Sequence, residues 1–262
     1  MIAFPKAKIN VGLRIIDKRD DGYHNIESHF MKIPLFDILE VIPIDGSEME
    51  LTLSGIELPG SGADNLLFKV YDLVAEKRQL PAVKCHLHKQ IPVGAGLGGG
   101  SSDAAEFAKL LNEMFELGLS MEELSELLVK VGSDCPFFLH DSPMFVTGTG
   151  DAMEPSNMNL SGMHIVLMNP GIHVSTIEAY KTCVPSGINL SKDFNGLGDD
   201  LINDFERSVF ELYPEIERWK QLLLDQGARY AAMSGSGATV YGLFDSRPEL
   251  PVIDSWHWTG IL

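Results

Sequence analysis

Pro92-Val93-Gly94-Ala95-Gly96-Leu97-Gly98-Gly99-Gly100-Ser101-Ser102 places five glycines within seven residues and ends on two serines. Glycine lets the backbone approach a ligand closely and take positive φ angles. The stretch follows a strand-like run, Val83 to Lys89, and leads into a helix expected from about Asp103 to Leu117. Ala104, Ala105, Phe107, Ala108 and Leu111 form the apolar stripe of that helix. A glycine loop that opens a helix aims unpaired N–H groups and the positive end of the helix dipole at an anion. A phosphate is its natural occupant. Ser101 and Ser102 suit either helix caps or ligands of phosphate and Mg²⁺.

Two familiar phosphate loops fail the test. The P-loop needs a lysine after its last glycine, and here Ser101 follows Gly100. Gly94-x-Gly96-x-x-Gly99 matches the dinucleotide fingerprint in form, but that motif requires a strand after its helix, with an acidic residue about 20 positions on. Ser120 and Glu123 instead make a capping box for a second helix, which Gly132 ends. A nicotinamide-dependent oxidoreductase is therefore a distant rival.

Outward from the loop, residues 7–16 alternate as a strand does. Ile9, Val11, Leu13 and Ile15 face a core, and Lys8, Asn10, Gly12 and Arg14 face a cleft or solvent. Further strands are expected near 30–43 and 48–54, parted by an Asp45-Gly46-Ser47 turn, then a helix from Leu66 to Glu76 capped by Asp64. The second half predicts a strand at His164–Met168, helices near 199–213 and 214–227, and strands at Tyr230–Met233 and Thr239–Phe244. The polar stretch 148–162 is the weakest connection. The expected class is α+β, divided into 1–150 and 151–262.

Composition narrows the partners. Twenty basic residues against 37 acidic ones give a formal charge of −17, which repels nucleic acid and anionic membrane surfaces. An anionic substrate must then be met locally, by backbone amides and individual lysines. Three cysteines in 262 residues leave no secreted disulfide framework, and the N-terminus shows no targeting segment, so a cytoplasmic protein is expected. His86 and His88 share a strand face without a third metal ligand, and Cys135 reads as a small buried filler.

Three separated segments together resemble the GHMP kinases: Pro5-Lys6-Ala7-Lys8-Ile9-Asn10, the loop at 92–102, and Met233-Ser234-Gly235-Ser236-Gly237-Ala238-Thr239. The resemblance implies a two-lobed α+β fold with the active site in the cleft between the lobes. It also implies ATP as phosphoryl donor with Mg²⁺, and a small-molecule alcohol as acceptor. Lys8 and Asp134 match the family's catalytic pair. Asn65, Lys89, Pro92, Val93, Gly94, Ala95, Gly96, Leu97, Gly98, Gly99, Gly100, Ser101 and Ser102 match its ATP-binding positions.

Asp21-Gly22-Tyr23-His24, Gly132-Ser133-Asp134-Cys135-Pro136-Phe137-Phe138 and Asn203-Asp204-Phe205-Glu206 are similar to one branch of that family. Its substrate carries a cytosine base, two phosphates and a small polyol used in isoprenoid precursor synthesis. For that branch the resemblance implies Asn10, Tyr23, His24, Phe30, Thr176, Tyr180, Gly235 and Ser236 as substrate-binding residues, with Tyr23, Phe30 and Tyr180 around the base and His24 on its edge. Relatives often carry phenylalanine where Tyr180 stands. The sequence ends soon after Trp258, so a trimmed last strand or helix is expected. The rivals are a GHMP kinase for mevalonate, homoserine or a sugar, and a catalytically silent binding protein on the same fold; the expected assembly is a monomer or weak homodimer.

Overall fold

The computed structural model describes residues 1–46, 48–57 and 64–262; Ser47, the last residue of the expected 45–47 turn, lies outside them. The elements run β1 (Ile2–Ala3), β2 (Lys6–Lys18), β3 (His24–Phe36), β4 (Ile38–Pro43), β5 (Glu50–Gly55), α1 (Leu66–Lys77) and β6 (Val83–Lys89). Next come α2 (Gly99–Met114), α3 (Met121–Val129), a 3₁₀ turn (Cys135–Leu139), β7 (Met144–Thr147), β8 (Ala152–Pro155) and β9 (His164–Asn169). The chain finishes with α4 (Thr176–Thr182), α5 (Phe205–Leu212), α6 (Pro214–Asp225), β10 (Tyr230–Met233), β11 (Val240–Phe244) and β12 (Trp256–Ile261). The class is α+β.

The chain forms two compact units, each assembled from separate stretches of the sequence. One comprises Met1–Ala7, Leu35–Val93 and Gly98–Asp141; the other comprises Lys8–Pro34, Gly94–Leu97 and Ser142–Leu262.

In the first unit a sheet of order β1-β4-β6-β5 carries the helices. β5 and β6 are parallel and joined through α1, the crossover that parallel neighbours require. β6 alternates strictly, with Val83, Cys85 and Leu87 buried between exposed Lys84 and His86. α1, α3 and the 3₁₀ turn pack on α2. The predicted stripe Ala104, Ala105, Phe107, Ala108 and Leu111 is wholly buried there. The capping box at Ser120 and Glu123 is present, and α3 ends at Val129 with Gly132 closing the following turn onto Leu128 O.

The second unit holds two sheets, β2-β3-β7-β8 and β10-β11-β9-β12. Leu13, Ile15, Val166, Met168, Phe205, Val209, Ile216, Leu223, Met233 and Val240 share one core cluster. Both faces of β2 are buried: Lys8, Asn10 and Arg14 are as inaccessible as the apolar set. The solvent-facing alternative for that polar face is thus excluded: Lys8, Asn10 and Arg14 each hydrogen-bond inside, with Arg14 Nε alone among their side-chain nitrogens buried without a partner. The 148–162 connection contains β8, paired with β7 from Met144↔Pro155 to Thr147↔Ala152. A last strand is in place, β12 pairing with β9 from Trp256↔Asn169 to Ile261↔His164.

Candidate active site

The glycine loop enters α2 differently from the expectation. The helix begins at Gly99, four residues early, and its cap is Gly98 at φ +68°. Ser101 and Ser102 therefore sit inside the first turn and cap nothing. A left-handed cap residue suits glycine, and it leaves the helix start without any capping side chain. The first helical hydrogen bond runs from Ser102 N to Gly98 O at 2.9 Å, so the amides of Gly99, Gly100 and Ser101 lack intrahelical acceptors. Ser102 Oγ is buried and unpartnered. A buried orphan of this kind calls for an explanation, and a phosphate oxygen is a group whose chemistry would fit it.

Asn65, also assigned to nucleotide binding, caps α1: its Oδ1 accepts from Leu67 N at 3.0 Å. Asp64, the expected cap, does not take that position. Lys89 closes β6 and is buried between two carboxylates that no local pattern pairs with it. It donates to Asp37 and, at 2.7 Å, to Asp103 Oδ2. Asp134 precedes the 3₁₀ turn, with Pro136 in its first positions, and its side chain makes no cap bond there.

In the second unit the 94–97 half of the loop lies against the 233–239 segment. Ser234 Oγ donates to Gly96 O at 2.8 Å, and Thr239 N donates to Ala95 O at 3.3 Å. Gly96 has φ +78°, and a Cβ there would collide with Ser234 O. The third motif thus packs on and hydrogen-bonds the 94–97 half of the glycine loop. Asn203 holds the motif from behind, donating from Nδ2 to Met233 O at 2.7 Å and Gly235 O at 2.9 Å.

Lys8 and Asn10 form the floor beside this turn. Lys8 Nζ donates to Asn10 Oδ1 at 2.6 Å and lies 4.5 Å from the centre of the Phe30 ring. Asn10 Nδ2 donates to Ser28 Oγ at 3.0 Å, and Tyr241 Oη donates to Asn10 O at 2.6 Å. A Cβ added at Gly235 would stand 3.6 Å from Asn10 Oδ1, so the first and third motifs meet here. The Lys8 ammonium is held on a hydrogen-bonded, buried base, so its orientation is set in advance.

The N-terminal GHMP kinase domain matches residues 65–142, and the C-terminal GHMP kinase domain matches residues 188–256. The chain belongs to the GHMP kinases. The 4-diphosphocytidyl-2-C-methyl-D-erythritol kinase of Cytophaga hutchinsonii is 51% identical over 256 residues, covering 95% of this chain and 94% of that protein. A crystal structure of 4-(cytidine 5'-diphospho)-2C-methyl-D-erythritol kinase superposes with a TM-score of 0.80 at 31% identity, covering 93% of this chain and 90% of that one. Homoserine kinase from Cytophaga hutchinsonii reaches a TM-score of 0.65 at 15% identity over 92% of this chain and 85% of its own, which shows the shared GHMP fold alone.

The residues assigned to the base are only partly assembled in this GHMP kinase. His24 and Tyr180 stack at 5.0 Å with 21° between their planes, and Tyr180 meets Phe205 edge-on at 4.8 Å. Burial, then Lys18, lower the affinity of the His24 ring for its proton, so near neutrality it is an uncharged imidazole with one donor and one acceptor. Thr176 Oγ1 and Ser236 Oγ are 3.0 Å apart. Phe30 is buried under Lys8 and presents no open face, whereas Tyr23 is 66% exposed at the β2–β3 turn.

Among the described residues no group of three or more His, Cys, Asp or Glu could hold a metal ion. Mg²⁺ needs few protein ligands when phosphate oxygens and water fill its shell, so a nucleotide-borne ion fits this residue set. His86 and His88 are joined instead through Ser54 Oγ, at 2.8 and 2.9 Å. The three cysteines are free thiols, and burial pushes the Cys135 thiol up to about 11. No helix among the described residues is long and apolar enough to cross a membrane.

Proposed function

We propose that this chain is an ATP-dependent kinase that phosphorylates the 2-hydroxyl of 4-diphosphocytidyl-2-C-methyl-D-erythritol, in the non-mevalonate route to isoprenoid precursors. The observation that carries this reading is the 51% identity to a kinase of that name over nearly the whole of both chains. Specificity within a shared fold lives in its side chains, and the distant GHMP relatives share only the fold.

In this reading the amides of Gly99, Gly100 and Ser101 receive the nucleotide phosphates. Asp134 accepts the proton of the 2-hydroxyl as its oxygen bonds to the γ-phosphorus, and the bond to the β-phosphate oxygen breaks to release ADP. Lys8 orients the hydroxyl and offsets charge on the transferring group. Mg²⁺, bound with ATP, would neutralise phosphate charge. Residues 1–150 carry the ATP-binding segments and 151–262 the C-terminal GHMP part; the protein works in the cytoplasm as a monomer or weak homodimer.

The direct test is ADP release with ATP, Mg²⁺ and a panel of acceptors, with phosphorus NMR of the product. The expected result is turnover with the cytidyl substrate and a new monoester signal. Turnover with mevalonate, homoserine or a sugar and none with the cytidyl compound would overturn the assignment.

For the base, cytosine stacks on Tyr180 while His24 reads its edge, so the His24–Tyr180 stack must part to admit it. Stacking is worth roughly 1–3 kcal/mol per base, about 5–150-fold in affinity. Tyr180→Ala is expected to raise KM for the cytidyl substrate within that range and to leave KM for ATP alone. Tyr180→Phe keeps the face and stays near wild type. Because Tyr180 also packs against the core of its unit, thermal melts accompany the titrations. A folded Tyr180→Ala protein with wild-type substrate affinity removes the residue from the site.

A further inference from the structure

We propose that Asp37, Lys89 and Asp103 form a buried brace that fixes the phosphate-binding turn, and that Lys89 acts from behind this turn as a positioning residue without touching the nucleotide. The proposal rests on the reading of Gly98–Ser102 as the phosphate turn. Lys89 is the last residue of β6 and 3% exposed; Asp37 and Asp103 are buried just as fully. Its ammonium donates to Oδ2 of both carboxylates. The other oxygen of Asp37 accepts from Gln90 N at 2.6 Å and Ile91 N at 2.9 Å, the first two amides after the strand. Asp103 lies one turn into α2. One ammonium therefore ties the exit of β6 to the start of the helix whose amides stand unpaired.

The fit is close. A Cβ at Gly99 would lie 3.3 Å from Lys89 Nζ and 2.9 Å from Ile91 Cγ2, so the helix can begin on top of the brace only with glycine at that place. The charge balance also excludes the usual role of a lysine near phosphate. Two carboxylates more than cancel one ammonium, so the trio offers an incoming anion no net attraction. Burial, opposed in part by Lys89, pushes the Asp103 carboxyl up to about 7, which brings the trio towards neutrality without making it positive. What remains for Lys89 is geometry. Donors that must meet an anion act through being fixed in advance, and a misplacement of about 1 Å can cost on the order of 10²-fold.

The two roles predict opposite signs. If Lys89 reached the phosphates, removing the competing Asp103 carboxylate would free it, and KM for ATP would fall. A brace predicts that Asp103→Ala raises KM for ATP about 10–100-fold, with cytidyl-substrate affinity and kcat at saturating ATP within a few-fold of wild type. Asp103→Asn, which still accepts from Nζ, should restore most of the loss. Should the alanine variant fail to fold, Asp103→Asn alone still decides: an unchanged or modestly raised KM for ATP supports the brace, and a lowered one overturns it. A folded Asp103→Ala protein with wild-type KM for ATP, or one that weakens both substrates in step with a lower melting temperature, also overturns it. Gly98→Val separates the layers. If it leaves ATP affinity intact, the phosphate-turn reading itself fails; if it weakens ATP binding while Asp103→Ala does not, only the brace fails.

Discussion

Asp134→Asn is expected to lose about 10²–10⁴-fold in turnover, the range for removing a positioned general base, while affinities for ATP and the cytidyl substrate stay within a few-fold of wild type. The amide is isosteric with the carboxylate and cannot take the hydroxyl proton. The side chain makes no cap bond to the 3₁₀ turn, and Pro136 sets the start of that turn. Cys135, next in sequence, cannot substitute as base or nucleophile, because its thiol is buried and protonated. Lys8→Met is expected to be similarly damaging, both by losing the charge and by leaving Asn10 Oδ1 without its donor at 2.6 Å. Residues that serve one proton transfer are not additive, so the double variant should be little worse than the worse single one. Coupled ADP release gives kcat, and isothermal titration gives both affinities. Near-normal turnover by Asp134→Asn, or losses that simply multiply, would count against the shared role.

The second large effect belongs to the turn itself. Gly98 caps α2 at φ +68°, a conformation that costs a residue with a Cβ about 1–2 kcal/mol and suits a β-branched one worst. Gly98→Val must either hold that strain or swing the cap away. Either course displaces the adjacent amides, and loss of a positioned donor to an anion costs about 10²–10³-fold in other enzymes. A fall of that size in kcat/KM for ATP is the expected result, with the cytidyl affinity kept. Gly98→Ala should sit between the two. Circular dichroism and thermal melts establish that the variant folds, and ATP affinity unchanged in folded Gly98→Val would refute the assignment.

Local signals located the scaffold well. Alternation over residues 7–16 yielded β2, the apolar stripe of α2 yielded its buried face, and Ser120 with Glu123 yielded the start of α3. The misses share one physical origin, a partner far away in sequence. Alternation showed that Lys8 and Asn10 share a face, but Ser28 and Tyr241, which bury that face, come from other strands. The pairing of Lys89 was not legible because Asp37, 52 residues before it, carries no local mark as its partner. β8 is four residues long and exists through its pairing with β7, so a polar stretch concealed it. At the two helix starts the competition was between neighbours. Asn65 took the cap from Asp64 by reaching Leu67 N with its own Oδ1, and Gly98 took it from the serines through a left-handed backbone that needs no side chain.

Asn203, Asp204, Phe205 and Glu206 are four consecutive residues with four different destinations. Asn203 holds the carbonyls of Met233 and Gly235, and Asp204 receives Arg14 and the amide of Ile15. Phe205 meets the Tyr180 ring, and Glu206 receives Met233 N and Lys220. Each successive residue at a helix start is turned by about 100° from the last. Loss or gain of a single codon here would redirect every side chain beyond it at once, sending each to its neighbour's destination. The segment can exchange one residue type for another and keep part of its wiring, but it has no tolerance for a change in length. A frame-preserving indel at 203–206 would disconnect the turn at 233–235, β2, the Tyr180 ring and β10 in a single event.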